Sequence, residues 1–168
     1  MHFYLQSLDD ALAVATRGMT SETLFRRPKE GKWCTAEILE HLSLTYAGTT
    51  RVLDRVLQAG QPDARHLTLM DRVRTTVVLG FSHMPKGREA PAQVIPRGLP
   101  SPDIVDSTRH KLVLMDRAIS QSEQAFGGRM RVANHPVLGP LTTGQWRKFH
   151  WVHGRHHARQ IEQLRLLA

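Results

Sequence analysis

The chain has 168 residues, of which 40% are hydrophobic and 23% charged, with a formal net charge of +8 and one cysteine. This length suits a single hydrophobic core, so we expect one domain over residues 1–168. No run approaches the roughly 18 apolar residues of a membrane span, and the N-terminus lacks the basic start of a signal peptide. We therefore expect a soluble, cytoplasmic protein with no membrane partner. The basic residues are scattered rather than blocked, which argues against a nucleic-acid partner, and the single Cys34 excludes an internal disulfide and a cysteine-based zinc site.

Two long helices are predicted in the first third of the chain. The first covers roughly residues 3–17, where leucines at helical spacing form one apolar stripe. The second begins at Thr35, with Thr35 itself or the preceding Cys34 at its N-terminal boundary, and Gly60 closes it. His41 lies beside the apolar stripe of this second helix, so its ring is expected near the protein interior.

Residues 61–100 are the least regular part of the sequence. The stretch "HLTLMDRVRTTVVLGF", residues 66–81, fits either a short helix or an apolar extended segment, and a proline-rich stretch follows it. Long irregular connections in compact domains tend to be functional or to cover something. We expect this connection to form the roof of a pocket.

Two further long helices are predicted in the second half of the chain. The third has Ser101 as N-cap and Pro102 as its first helical residue, and glycines at 127 and 128 end it. The fourth has Thr142 or Thr143 as N-cap and runs to the C-terminus. Four long helices predict an all-α fold, a four-helix bundle with a long middle crossover.

The fourth helix carries an unusual cluster of titratable rings. His150, His153, His157 and Gln160 follow helical steps of three and four residues and therefore share one face, while His156 points to its side. Two imidazoles separated by one turn can bind the same metal ion with bonds of about 2.0–2.1 Å.

A third ligand must come from another helix, because two histidines do not hold an ion firmly. Facing helices supply such ligands in bundle cores, and His41 is the candidate. The alternative is that these histidines are hydrogen-bonded core or surface residues. The pattern is not HExxH, since Gly154 stands where the glutamate would be, so metalloprotease chemistry is disfavoured.

Two segments of the chain resemble the DinB/YfiT-like superfamily. "GKWCTAEILEHL", residues 31–42, is similar to its tryptophan-then-helix segment that ends in histidine, and "HHARQIEQL", residues 156–164, looks like its terminal HxxxHxxQ helix. Residues 135–160 are similar in finer detail to one branch of that superfamily, in which HP, GxLT, W and HxxHHxxQ recur in this order.

This resemblance implies a four-helix bundle with an up-down-down-up order and a divalent metal held near one end. Carried onto this sequence, the ligands are His41, which ends the "EILEHL" motif, and His153 and His157 of the HxxxHxxQ segment. The metal is zinc or nickel, or alternatively iron. His150 and His156 flank the pair, so either is a substitute for one of the ligands. Relatives often form dimers, and we therefore expect a homodimer.

Three imidazoles leave at least one coordination position open, which is the arrangement of a catalytic site. Relatives include thiol-S-transferases that use low-molecular-weight thiols, and others hydrolyse small molecules. The resemblance thus implies a metal-dependent transferase or hydrolase that activates a thiolate or water toward a small-molecule substrate. Gln160 is expected to orient a ligand histidine or to bond the bound water, unless it makes only a solvent or helix contact. The competing hypothesis is a non-catalytic metal-binding, dimerising bundle, with four protein ligands and no adjacent cavity.

Two further residues admit two interpretations each. Glu37 is either a second acceptor or base near His41, or a capping residue in the first turn of its helix. Cys34 is either a thiol of low pKa at a helix N-terminus, or a small buried side chain.

Overall fold

The chain folds mainly into α-helices, four of which are long and pack against one another. The computed structural model describes residues 1–29, 31–82, 84, 90–98, 101 and 103–166. Within these residues the elements are, in chain order, α1 (Phe3–Thr16), α2 (Ser21–Phe25), α3 (Thr35–Ala59), α4 (Leu69–Thr75), a π-helical turn (Thr76–Gly80), a 3₁₀ turn (Ala92–Val94), α5 (Ile104–Phe126), β1 (Arg131–His135), β2 (Gly139–Thr142) and α6 (Thr143–Leu166).

The long helices begin and end close to the predicted positions. Cys34 is the N-cap of α3, and the Glu37 carboxylate accepts a hydrogen bond of 2.9 Å from the Cys34 backbone N–H. Gly60 ends α3 with a φ of 66°, a left-handed conformation that glycine adopts without steric cost.

The predicted N-cap is wrong for α5 and confirmed for α6. Asp103, not Ser101, is the N-cap of α5, and the predicted first helical residue, Pro102, lies outside the described residues. At α6 the Thr142 hydroxyl accepts from the Gln145 N–H at 3.3 Å, and the Gln145 side chain accepts from the Thr142 N–H at 3.0 Å. This reciprocal pair is a capping box, which fixes where the histidine-bearing helix starts.

A β-hairpin precedes α6, and the all-α prediction did not include it. β1 and β2 pair antiparallel, with His135 opposite Gly139. The His135 Nδ1 accepts from the backbone N–H groups of Val137 and Leu138, both at 3.1 Å, and thereby stabilises the turn between the strands. The strands are only five and four residues long, too short for a two-residue alternation to be visible in the sequence.

The core lies between the long helices. α1 packs on α6, α3 packs on α5, and contacts of α6 with α3 and α5 join the two pairs. Gly154 permits the close approach of α1 and α6, since a Cβ there would lie 2.5 Å from a methyl carbon of the buried Leu8. None of the described helices combines the length and apolar character that a membrane crossing requires.

Candidate metal centre

The rings of His41, His153 and His157 meet in the interior between α3 and α6. All three residues are buried, and one ligand nitrogen from each lies within 4.8 Å of the other two. The Nε2 of His153 is 3.1 Å from the Nε2 of His41 and 3.1 Å from the Nε2 of His157. Residues 112 positions apart in sequence are thus in direct contact, and we call these three residues the histidine trio.

Two members of the histidine trio have their only proton committed elsewhere. His41 donates from Nδ1 to the backbone carbonyl of Val94 at 2.7 Å, and His157 donates from Nδ1 to the side-chain oxygen of Gln160, also at 2.7 Å. A neutral imidazole carries one N–H, so the Nε2 atoms of both rings are bare lone pairs. Both lone pairs are directed at His153.

His153 cannot supply protons to both neighbours. Its Nδ1 is buried and has no hydrogen-bond partner among the described residues. If the proton of His153 is on Nε2, one of its two nitrogen contacts still lacks a hydrogen; if it is on Nδ1, both do. At least one pair of nitrogen lone pairs therefore faces the other at 3.1 Å, an arrangement that a shared cation would resolve.

The spacing of these nitrogens fits a small divalent ion. Bonds of about 2.0–2.1 Å at near-tetrahedral angles place two ligand nitrogens about 3.3 Å apart. The two contacts of His153, both 3.1 Å, are close to that separation. The donor set of three imidazole nitrogens suits zinc, nickel or ferrous iron rather than magnesium or calcium, which prefer oxygen. The three histidines can hold a metal ion on both counts.

Burial keeps the histidine trio in the neutral form that binds metals. Desolvation lowers the pKa of His41, and it lowers the pKa of His157 to about 3. Desolvation, reinforced by the neighbouring rings of His157 and His41, holds the pKa of His153 well below that of a free imidazole. Protons therefore do not compete with a metal near neutral pH.

The middle connection takes part in the site through its backbone. Residues 90–98, which we call the strap, place the Val94 carbonyl against His41. The neighbouring Glu40 carboxylate accepts from the backbone N–H groups of Arg97 and Gly98 at 3.0 and 3.3 Å. Two consecutive residues of α3 thus fasten the strap. Sequence reasoning missed this contact, because a backbone carbonyl carries no residue-type signal.

The other histidines of α6 lie apart from the histidine trio. His150 is fully buried, and its Nε2 is 3.1 Å from the Thr49 hydroxyl. His156 lies beside His157, with 5.2 Å between ring centroids, but it is not part of the group whose nitrogens converge. Neither His150 nor His156 is therefore positioned to replace one of the three predicted ligands.

The two ambiguous residues of the α3 N-terminus are structural. The Glu37 carboxylate caps the helix and forms an ion pair with the Arg27 guanidinium. Cys34 is buried, and burial raises the pKa of its thiol, so the low-pKa interpretation is wrong. The neighbouring Trp33 packs against His41 with 5.2 Å between ring centroids.

Comparison with known proteins agrees with the resemblance at the superfamily level. The family model described as "Protein of unknown function (DUF1569)" matches residues 1–164, and this family is in the DinB/YfiT-like superfamily. No curated protein and no solved structure matches the chain. With nearly its whole length matched, the chain belongs to the DUF1569 family.

Proposed function

We propose that the histidine trio binds a divalent metal ion and that the protein is a metal-dependent enzyme acting on a small molecule. The observation that carries the proposal is the convergence of three buried Nε2 atoms that have too few protons to satisfy one another. Zinc or nickel fits these ligands best, and ferrous iron is the alternative. When bound, such an ion activates a water or a thiolate at its open position.

Neighbouring residues orient the three ligand rings. The Val94 carbonyl and the Gln160 side chain fix the tautomers of His41 and His157 and keep their Nε2 atoms directed inward. The ring of Phe149 stacks on that of His153, with 5.4 Å between centroids, and restricts its rotation. Transfer of a low-molecular-weight thiol or hydrolysis of a small molecule is the reaction class that the superfamily resemblance implies for such a site.

Three parts of the proposal rest on the superfamily resemblance alone. They are the thiol cofactor, the homodimer and the up-down-down-up order of the four long helices. The non-catalytic alternative, a metal-binding and dimerising bundle, requires a fourth protein ligand. In the part of the chain that the structure describes, the converging group contains three. The ligand count favours the catalytic interpretation. The second criterion, an adjacent cavity, is not met by the cavity of about 190 Å³ beside α6, because no member of the histidine trio lines it.

Elemental analysis of protein purified without a polyhistidine tag tests the site. We expect about one metal ion per chain in the wild type and none in the His153→Ala, His157→Ala double variant, because a lone imidazole does not retain an ion. His110→Ala is the matched control, since His110 is exposed on α5, outside the histidine trio. His156→Ala tests the substitute ligand and should keep the metal.

Loss of metal in the control, or retention in the double variant, would contradict the assignment. Circular dichroism on each variant separates loss of ligands from loss of fold. Given stoichiometric metal, an exchangeable water seen by X-ray absorption or by magnetic relaxation distinguishes an open catalytic site from a closed structural one.

A further inference from the structure

A second concave site lies on the outer side of α6. It is a cavity of about 190 Å³ between α6 and the residues that follow the π-helical turn. Its lining includes Met84, Trp151, Val152, Arg155, His156 and Arg159. The ring of His156 is near that of His157, but no member of the histidine trio lines the cavity.

The cavity is positively charged. Arg155 and Arg159 are one helical turn apart, so both guanidinium groups lie on the same face of α6. Among the described residues no carboxylate lines the cavity, and none of them forms an ion pair with either arginine. Like charges one turn apart repel each other, and an anion between them would remove that repulsion.

An aromatic wall stands beside this charge. The Arg155 guanidinium carbon lies 5.1 Å from the centroid of the Trp151 ring, within the range of a cation–π contact. Trp151 also contacts Tyr4 of α1, with 5.3 Å between ring centroids. The indole of α6 is therefore flanked by Tyr4 of α1 and by Arg155 of its own helix, and Arg155 is held against it before any ligand arrives. Met84 and Val152 extend the apolar surface.

We propose that this cavity binds a small organic anion. The carboxylate or phosphate group lies between Arg155 and Arg159, and the apolar body of the molecule packs against Trp151. Arginine suits this role because its planar fork pairs with both kinds of anion through two hydrogen bonds. The volume is below the roughly 300–1,000 Å³ of drug-sized sites, so the cavity accommodates a small acid or one end of a longer molecule.

The test is an NMR titration of the full chain, treated with a chelator so that no metal-bound anion interferes. Benzoate, phenyl phosphate and neutral benzamide are added separately, and the amide resonances of residues 151–159 are followed. The Arg155→Gln, Arg159→Gln double variant removes the charge and keeps good helix formers. Arg117→Gln, an exposed arginine of α5 outside the cavity, is the matched control.

We expect at least one of the two anions to bind about tenfold or more tightly than benzamide, with the largest shifts at Trp151 and His156. The double variant should weaken that binding about tenfold or more, and Arg117→Gln should leave it unchanged. The tighter of the two anions identifies the acidic group. Equal binding of benzamide, no shifts with either anion at about 20 mM, or full binding by the double variant would overturn the proposal. The His153→Ala, His157→Ala variant should bind the anion normally, which keeps this result independent of the metal.

Discussion

Two buried histidine environments lie within two turns of α6 and differ in what their nitrogens contact. His150 faces the hydroxyl of Thr49, a group that both donates and accepts. The Nε2 of His153, three residues later, meets the nitrogens of His41 and His157 and no other polar partner among the described residues. The Nδ1 atoms of both rings lack a hydrogen-bond partner among the described residues, so the difference lies at Nε2. There a hydroxyl pairs with either tautomer of the imidazole, whereas imidazoles whose other protons are already committed cannot satisfy one another. The difference shows that the partner, and not burial or spacing, distinguishes a core histidine from a candidate metal ligand.

Alanine substitutions at these two positions should affect different properties, stability at one and metal binding at the other, and this is the largest expected contrast. His150→Ala removes a fully buried ring and leaves the Thr49 hydroxyl unpaired, so the free energy of unfolding should fall by about 2–3 kcal/mol. His153→Ala should instead abolish tight metal binding, because each ligand accounts for about 3–4 kcal/mol of affinity. Urea unfolding in chelator and competitive zinc titration measure the two quantities.

If His150→Ala weakens zinc binding as much as His153→Ala does, the contrast between the two environments fails. Folded variants are identified by circular dichroism before the zinc titration.

Acid should destabilise the protein through a buried histidine outside the metal site. Burial lowers the pKa of His135 to about 4, and its Nδ1 accepts two backbone hydrogen bonds that protonation would remove. The unfolded chain takes up this proton at pH about 6.5, so stability is complete above that pH and decreases as the pH falls toward 4. The contribution is about 1.4 kcal/mol per pH unit within the window.

His135→Asn isolates this effect, because asparagine keeps an acceptor for the same two N–H groups and does not titrate. Urea unfolding in chelator between pH 6.5 and 4 should give a shallower pH dependence for the variant. Identical slopes for both proteins would mean that His135 is already protonated in the folded chain.

Removal of an orienting group should produce the smallest effect. Gln160→Ala deprives the His157 N–H of its acceptor and should weaken zinc affinity by about 10-fold, with little change in unfolding. Gln163→Ala, an exposed glutamine of the same helix, is the matched control. Competitive zinc titration of both variants checks this; equal affinities would assign Gln160 a role in packing only.

The sequence predicted the parts of the site that depend on spacing within one helix. His153 and His157 share a face because they are four residues apart, and the pairing with His41 was anticipated through the superfamily resemblance. Spacing alone could not separate His150 from His153, because both lie on that same face. The separation arises along the helix axis. Thr49 follows His41 by eight positions of α3, a rise of about 12 Å, and each of the two meets a different ring of α6.

The remaining features depend on contacts that have no local pattern. The hairpin Arg131–Thr142 is short, and one of its stabilising acceptors is a histidine ring rather than a typical turn residue. The strap contacts His41 through a backbone carbonyl, which any residue at position 94 would provide. α2 is five residues long, too short for propensity alone to define, and was not predicted. α4, seven residues long, is the short helix that was one of the two alternatives for residues 66–81.

The burial of Cys34 has a practical consequence for enzymology. Only 3% of this residue is exposed, and it is the sole sulfhydryl of the chain. Colorimetric thiol reagents will therefore react very little with the native protein. Consumption of an added thiol can therefore be measured with these reagents even when the enzyme is present in stoichiometric amount. A signal from the protein itself would mean that Cys34 has become exposed by unfolding.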